Sequence, residues 1–208
     1  MDYVLFGIQG SGKGTQGTVL AERLGASYFE MGGRLRELSK QDSELAIKVK
    51  NIIESGNLVP TEVVMEIVAE FAKNIEASKP IIFDGIPRSE EQRAAFEMLL
   101  TKLGREYKGI YFALNREAAI QRLTTRRICS INKEAFPASF EEETCPQHNA
   151  PLITRSDDTP ESINTRLDLF IKETMPIIDH WKNEGKIIEI DAGKSIDEVR
   201  EELAENIK

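Results

Sequence analysis

Nine residues near the start of this 208-residue chain, GIQGSGKGT from Gly7 to Thr15, limit what it can fold into more than any other stretch. The apolar run DYVLF before them is rich in β formers and reads as a buried strand. The stretch KGTQGTVLAERLG that follows has helical spacing and stops at Gly25. A glycine loop therefore joins a strand to a helix. Glycines there let backbone N–H groups turn inward around phosphate oxygens. The helix N-terminus adds partial positive charge, and Lys13 extends toward the terminal phosphates. The plain alternative, a glycine turn that binds nothing, is disfavoured by the order strand, loop, lysine, helix. In the general pattern a Ser or Thr after the lysine holds Mg²⁺. Here that place is Gly14, and the hydroxyl follows at Thr15.

The rest of the chain alternates strands and helices. SELAIKVKNIIESG and PTEVVMEIVAEFAKN are amphipathic helices, the second with Pro60 in its first-turn region. KPIIFDG is a second buried strand, and SEEQRAAFEMLLTKLG a helix running from Ser89 to near Gly104. KGIYFALN is a third strand and REAAIQRLTTRR a helix. From Ile128 to about Asp158 the periodicity fails. That stretch, with its prolines, an acidic run (Glu141 to Glu143) and both cysteines, reads as an inserted small lobe. A long helix follows, with Thr159 as N-cap and Pro160 at its first position. Pro176 predicts a kink or break in it. KIIEID is a fourth strand, and a Ser195/Glu198 capping box opens the closing helix. The alternation predicts an α/β fold, a parallel sheet covered by helices on both faces.

Charge narrows the ligand. With 27 Lys and Arg against 35 Asp and Glu, the net charge is −8, which disfavours a general nucleic-acid binder. Arginines nonetheless cluster, at Arg122, Arg126 and Arg127 and at Arg34 and Arg36, a distribution that suits a small anion. Two cysteines argue against a disulfide framework and for a reducing compartment. No apolar run approaches the roughly 18 residues of a membrane span, and MDYVLFGIQG has no signal-peptide pattern. The expectation is a cytoplasmic monomer with no nucleic-acid or membrane partner.

The GKGT ending resembles the adenylate kinase family of nucleoside monophosphate kinases, in its long-lid bacterial form. FDGIPR is similar to that family's Asp-Gly-Phe-Pro-Arg segment, with Ile86 in the aromatic place. QRLTTRR, TRSDDTPESINTRL and DAGK are similar to its later segments. The resemblance implies a P-loop NTPase core at 1–29, 60–127 and 159–208, a monophosphate-binding lobe at 30–59 and a lid at 128–158. It implies reversible, Mg²⁺-dependent phosphoryl transfer from ATP to AMP, giving two ADP. For ATP it implies contacts at Gly10, Ser11, Gly12, Lys13, Gly14, Thr15, Arg122, Arg126, Phe136 and the backbone of Lys194. For AMP it implies Met31, Gly32, Arg36, Gly85, Arg88, Gln92, Arg155 and Arg166. Catalysis would fall to Lys13, Asp84, Arg88, Arg126, Arg155 and Arg166.

Two places leave alternatives. Gln92 either reads the acceptor base or closes a capping box with Ser89. Before Arg36 the family commonly has Ser-Thr-Gly-Asp; EMGGRLR instead puts Met31 where the threonine stands and Gly33 where the aspartate stands. A kinase for UMP, CMP or GMP is the nearest rival function, and a non-catalytic nucleotide-binding module the rival from another class. A switch GTPase is opposed by GKGT and by the lack of an Asn-Lys-x-Asp string.

The same resemblance implies a structural zinc site in the lid, at places that here read Cys129, Asn132, Cys145 and His148. Cys129, Cys145 and His148 are good zinc ligands and asparagine is a poor one. Water or a carboxylate, Glu134 or one of Glu141 to Glu143, would complete the set. The alternative is a metal-free lobe with two packed thiols.

Overall fold

Alternate residues of β1 (Asp2–Gly7) feed two separate cores. Val4 and Phe6 join one apolar cluster, while Tyr3 and Leu5 join another on the opposite face. A strand buried on both faces belongs in the middle of a parallel sheet covered by helices, and that is where it lies. The structure, a computed structural model, describes residues 1–132, 134–155 and 158–207.

After β1 come α1 (Lys13–Leu24), β2 (Ser27–Glu30), α2 (Met31–Leu38), α3 (Glu44–Glu54) and α4 (Thr61–Lys73). Then follow β3 (Ile81–Asp84), α5 (Glu90–Lys102), β4 (Tyr107–Ala113) and α6 (Arg116–Thr125). Three short strands come next: β5 (Arg127–Cys129), β6 (Ala135–Phe136) and β7 (Leu152–Ile153). The chain closes with α7 (Pro160–Leu169), a π-helical turn at Phe170–Thr174, α8 (Met175–Asn183), β8 (Ile187–Asp191) and α9 (Ile196–Asn206). The main sheet runs β2-β3-β1-β4-β8 with every pairing parallel. The three short strands form their own antiparallel sheet, β6-β5-β7, within residues 128–158 and one residue before them.

Strand order decides where a ligand can sit. From β1 the chain builds outward through β3 to one side and β4 to the other, so the crossover direction reverses at β1. In open α/β sheets the crevice lies outside the strand C-termini at that reversal. Gly7 ends β1 there, and Asp84 ends β3 beside it.

The α/β reading holds, with three local corrections. The main sheet has five strands, not four: β2 has only four residues, sits at the sheet edge, has one fully buried side chain (Phe29) and runs straight into α2. So short an edge strand shows no resolvable alternation. Pro60 is the N-cap of α4 rather than part of its first turn. The interruption expected at Pro176 falls just before it, where the backbone widens into the π turn. Helix α8 then restarts with Pro176 in its first turn, where a missing N–H costs least. Thr159, Ser89 and the Ser195/Glu198 capping box open α7, α5 and α9 as expected. No helix of the described residues is long and apolar enough to cross a membrane.

Candidate active site

Between β1 and α1 the chain turns at residues 8–11, the Ser11 N–H donating to the Ile8 carbonyl at 3.0 Å, with Gly10 at φ 89°. Gly12 caps α1 from the left-handed region at φ 82°, which side chains rarely adopt. It offers no side-chain cap, and no acid lies in the first turn of α1. The helix itself therefore supplies no anion to its first N–H groups, the arrangement that suits phosphate. At Gly17 a Cβ would come within 2.5 Å of Leu5 Cδ1 and 2.9 Å of the Tyr28 ring, so only glycine lets α1 pack this close to the sheet.

Lys13 and Asp84 face each other across this loop, Nζ to Oδ1 at 4.0 Å. Burial pulls the lysine's pKa down, with Arg88 and Arg126 adding to that; Asp84 opposes it. The other oxygen of Asp84, Oδ2, accepts from the Tyr28 hydroxyl at 2.9 Å. Burial first, then the Asp84 charge, raises the Tyr28 phenol far above its ordinary value, so it stays a donor. Arg88 donates Nε–H to the Gly85 carbonyl at 3.0 Å, and its own carbonyl accepts from Thr174 Oγ1 at 2.9 Å, which ties the π turn to the site. Burial lowers the Arg88 guanidinium's pKa while Asp84 and Glu30 oppose that. Lys13, Gly85, Arg88 and Arg166 line one cavity.

Arg126 and Arg166 converge on one acid that motif spacing did not single out. Arg126 binds Asp158 with both arms of its fork, Nε to Oδ2 and Nη2 to Oδ1, each at 2.9 Å. Arg166 Nη2 donates to the same Oδ1 at 2.9 Å. The Asp158 side chain is 1% exposed. Arg155 is half-buried three residues earlier, its carbonyl accepting from the Asp158 N–H at 3.2 Å. Ser156 and Asp157, from the same expected segment, lie outside the described residues, as does Lys133 of residues 128–158. Arg122 Nη1 approaches the Gly10 carbonyl at 3.5 Å.

Arg36, expected at the acceptor, pairs with Glu30 at 3.1 Å. A Cβ on Gly33 would come within 2.5 Å of Glu30 Oε2, and one on Gly32 within 2.9 Å of Oε1. The carboxylate missing at position 33 is thus supplied by position 30, folded back over both glycines. Met31 is buried, 2% exposed, and packs beside Gly85. Gln92 is 3% exposed; its Oε1 accepts from the Arg88 N–H at 2.9 Å while its own N–H donates to Ser89 Oγ at 3.3 Å. That is a capping contact one residue earlier than a standard box. The Lys194 side chain pairs with Glu202 at 2.8 Å, and its backbone N–H donates to the Asp191 carbonyl at 3.5 Å. Phe136 packs on Phe140, ring centroids 4.7 Å apart, in the small lobe's own core with Cys129 and Cys145.

In that lobe the ligand atoms of Cys129, Cys145 and His148 all lie within 4.8 Å of one another. His148 Nδ1 is 3.8 Å from Cys129 Sγ and 3.5 Å from Cys145 Sγ. Desolvation raises the Cys129 thiol, but the backbone N–H groups of Asn132 and Ile131 and the Cys145 thiol outweigh it and hold the thiol below its ordinary value. Asn132 lies outside this group, its Nδ2 3.3 Å from Glu134 Oε2.

Tyr28, Glu30, Asp158 and Thr174 were missed by motif reading. Only Asp158 left a trace, an acidic pair set between Arg155 and Arg166.

A family model described as adenylate kinase matches residues 5–186. The chain is 35% identical over 205 residues to the adenylate kinase of Fervidobacterium nodosum, an alignment covering 96% of this chain and 94% of that one. It is 36% identical over 197 residues to the adenylate kinase of Chlamydia felis, covering 95% and 92%. With that of Kosmotoga olearia it shares 33% over 213 residues, covering 100% and 99%.

Proposed function

Because this chain belongs to the adenylate kinase family, whose members convert ATP and AMP to two ADP with Mg²⁺, we propose how its own residues divide that work. The single observation that carries the division is the cavity shared by Lys13, Gly85, Arg88 and Arg166 at the C-terminal ends of β1 and β3. Gln9 and Lys13 of the phosphate loop reach it together with Arg88 and Arg166, so cationic groups for the donor and the acceptor phosphates converge at one place.

Residues 10–15, with Arg122 and Arg126, hold the triphosphate, and the backbone at Lys194 meets the donor base. Arg36 and Arg88 hold the monophosphate, with Met31 and Gly32 beside the nucleoside and Gln92 at its base. Arg155 and Arg166 stand between the two. Residues 30–59 form the acceptor lobe and residues 128–158 the lid. Phosphoryl transfer through a loose transition state needs little covalent chemistry; it needs aligned oxygens and neutralised charge. Lys13 and the arginines supply fixed positive charge, and arginine's planar fork keeps its proton throughout. Closure of residues 128–158 excludes water, which would otherwise turn transfer into hydrolysis.

Mg²⁺ arrives with ATP, and Asp84 fits it. Its Oδ2 is engaged by Tyr28, whereas Oδ1 faces the loop 4.0 Å from Lys13. Asp84 would hold the ion through its water shell, and the ion would offset the phosphate charge. A zinc ion in the lid would be held by Cys129, Cys145 and His148, whose donor atoms already sit close enough for one metal. Its role there is structural, stapling a lobe whose buried cluster among the described residues is small: Cys129, Phe136, Cys145 and Ala150, with Phe140 and Leu152 packed against it.

An assay of ADP formation from ATP with AMP, CMP, UMP or GMP, with and without Mg²⁺, tests the reading. AMP should be used best and only with Mg²⁺. Faster turnover with another monophosphate would move the acceptor assignment.

A further inference from the structure

We propose that Gln9 is a substrate-contacting residue, its carboxamide donating a hydrogen bond to the phosphate oxygens where donor and acceptor meet. The inference rests on the division of the cavity proposed above. Motif spacing leaves position 9 unassigned, and the local backbone gives no reason for an amide there. Gln9 is the first corner of the turn closed by the Ser11 N–H on the Ile8 carbonyl at 3.0 Å, with Gly10 second at φ 89°. That corner suits most residues and favours proline.

The side chain nevertheless turns inward. Gln9 lines the same cavity as Lys13, Gly85, Arg88 and Arg166. Its Oε1 is buried with no hydrogen-bond partner among the described residues. A buried amide oxygen left unpaired is unfavourable, and an apolar side chain would have avoided it. The amide is therefore poised for something that enters the cavity. Its chemistry limits what that is: a carboxamide carries two N–H donors besides its acceptor. Rotation about its last torsion turns those donors toward an oxyanion. A neutral donor adds to the charge of Lys13 and the arginines without repelling Mg²⁺. In a loose transition state charge shifts within the transferred group, so a donor fixed at the junction binds that state better than the ground state.

The test uses Gln9→Met, Gln9→Ala and Gln9→Glu in the full chain, with kcat, KM for ATP and for AMP, and Tm. Methionine keeps length and volume but has no amide, so it separates contact from packing. Met and Ala variants should lose about tenfold or more in kcat, with both KM values nearly unchanged and Tm equal to or above wild type. The Glu variant, an anion facing phosphates, should lose more. Wild-type kcat in Gln9→Met overturns the inference alone, because the side chain then only packs. A loss of kcat tracking a lowered Tm in both Met and Ala variants also overturns it, as a structural role. A wild type that makes no ADP from ATP and AMP overturns the functional reading itself, and this inference with it.

Discussion

Tyr28 donates its phenolic hydrogen to Asp84 Oδ2 at 2.9 Å, joining two neighbouring parallel strands, β2 and β3, across 56 residues. The bond fixes the carboxylate's orientation and leaves Oδ1 turned toward Lys13. Tyr28→Phe removes the donor and leaves a carboxylate that is 6% exposed short of a partner. A hydrogen bond to a charged group contributes about 1.5–3 kcal/mol. The variant should lose stability in that range in urea unfolding, and need more Mg²⁺ for half-maximal activity. An unchanged Mg²⁺ requirement would remove Tyr28 from the site.

Lys13 holds a charge that burial disfavours, since its pKa is lowered chiefly by desolvation. The sign follows from linkage. With the folded pKa below the unfolded one, the unfolded chain binds more protons between the two values, so this group makes stability rise with pH there. Lys13→Met should therefore leave the Tm of the free protein unchanged or raised, while kcat/KM falls by 10²-fold or more. A large drop in Tm would show that the lysine is a structural counter-ion to Asp84 instead.

Asp158 holds Arg126 and Arg166 together on one carboxylate that is 1% exposed. Asp158→Asn removes the charge but keeps the shape, leaving two guanidinium groups repelling each other. Breaking a buried ion pair costs about 3–5 kcal/mol; here solvent in the cleft reduces that, since the arginine side chains remain 17% and 11% exposed. Thermal unfolding should show a clear loss of Tm, and kcat should fall at least tenfold as the forks lose their alignment. Full activity in a destabilised variant would mean that the bound phosphates orient both arginines unaided.

Arg88 and Arg126 should separate in kinetics. Arg88→Ala should mainly raise KM for AMP, because it is bonded to Gly85 and Gln92, which are proposed to meet the acceptor. Arg126→Ala should mainly lower kcat. Each should cost on the order of 10²-fold in kcat/KM, measured by steady-state ADP formation. Near-normal values for both would remove them from the phosphate seats.

The lobe at residues 128–158 offers a metal test. Protein purified without chelator or polyhistidine tag should carry near-stoichiometric zinc by elemental analysis. Cys145→Ser should lose that zinc together with part of the lobe's thermal stability. No uptake by reduced protein offered zinc would instead leave two thiols packed beside Phe136 and Ala150 as the lobe's resting state.

The sequence alone determined what short-range rules govern. Periods of 2 and 3.6 residues placed the buried strands and most helices. Ser89, Thr159 and Ser195 marked helix starts, because an N-cap acts on backbone three residues away. The phosphate loop was legible for the same reason: strand, glycines, lysine and helix are contiguous, and their geometry follows from that order. Tertiary structure alone decided the partners. That Tyr28 reaches Asp84, that Asp158 takes Arg126 from 32 residues away, and that Thr174 holds the Arg88 carbonyl all depend on strand order and on where a helix widens. No local pattern encodes a contact whose two ends are brought together only by the sheet between them. Even the carboxylate that looked lost at Gly33 returned through Glu30, because a side chain folded back over two glycines reaches the space a neighbour leaves empty.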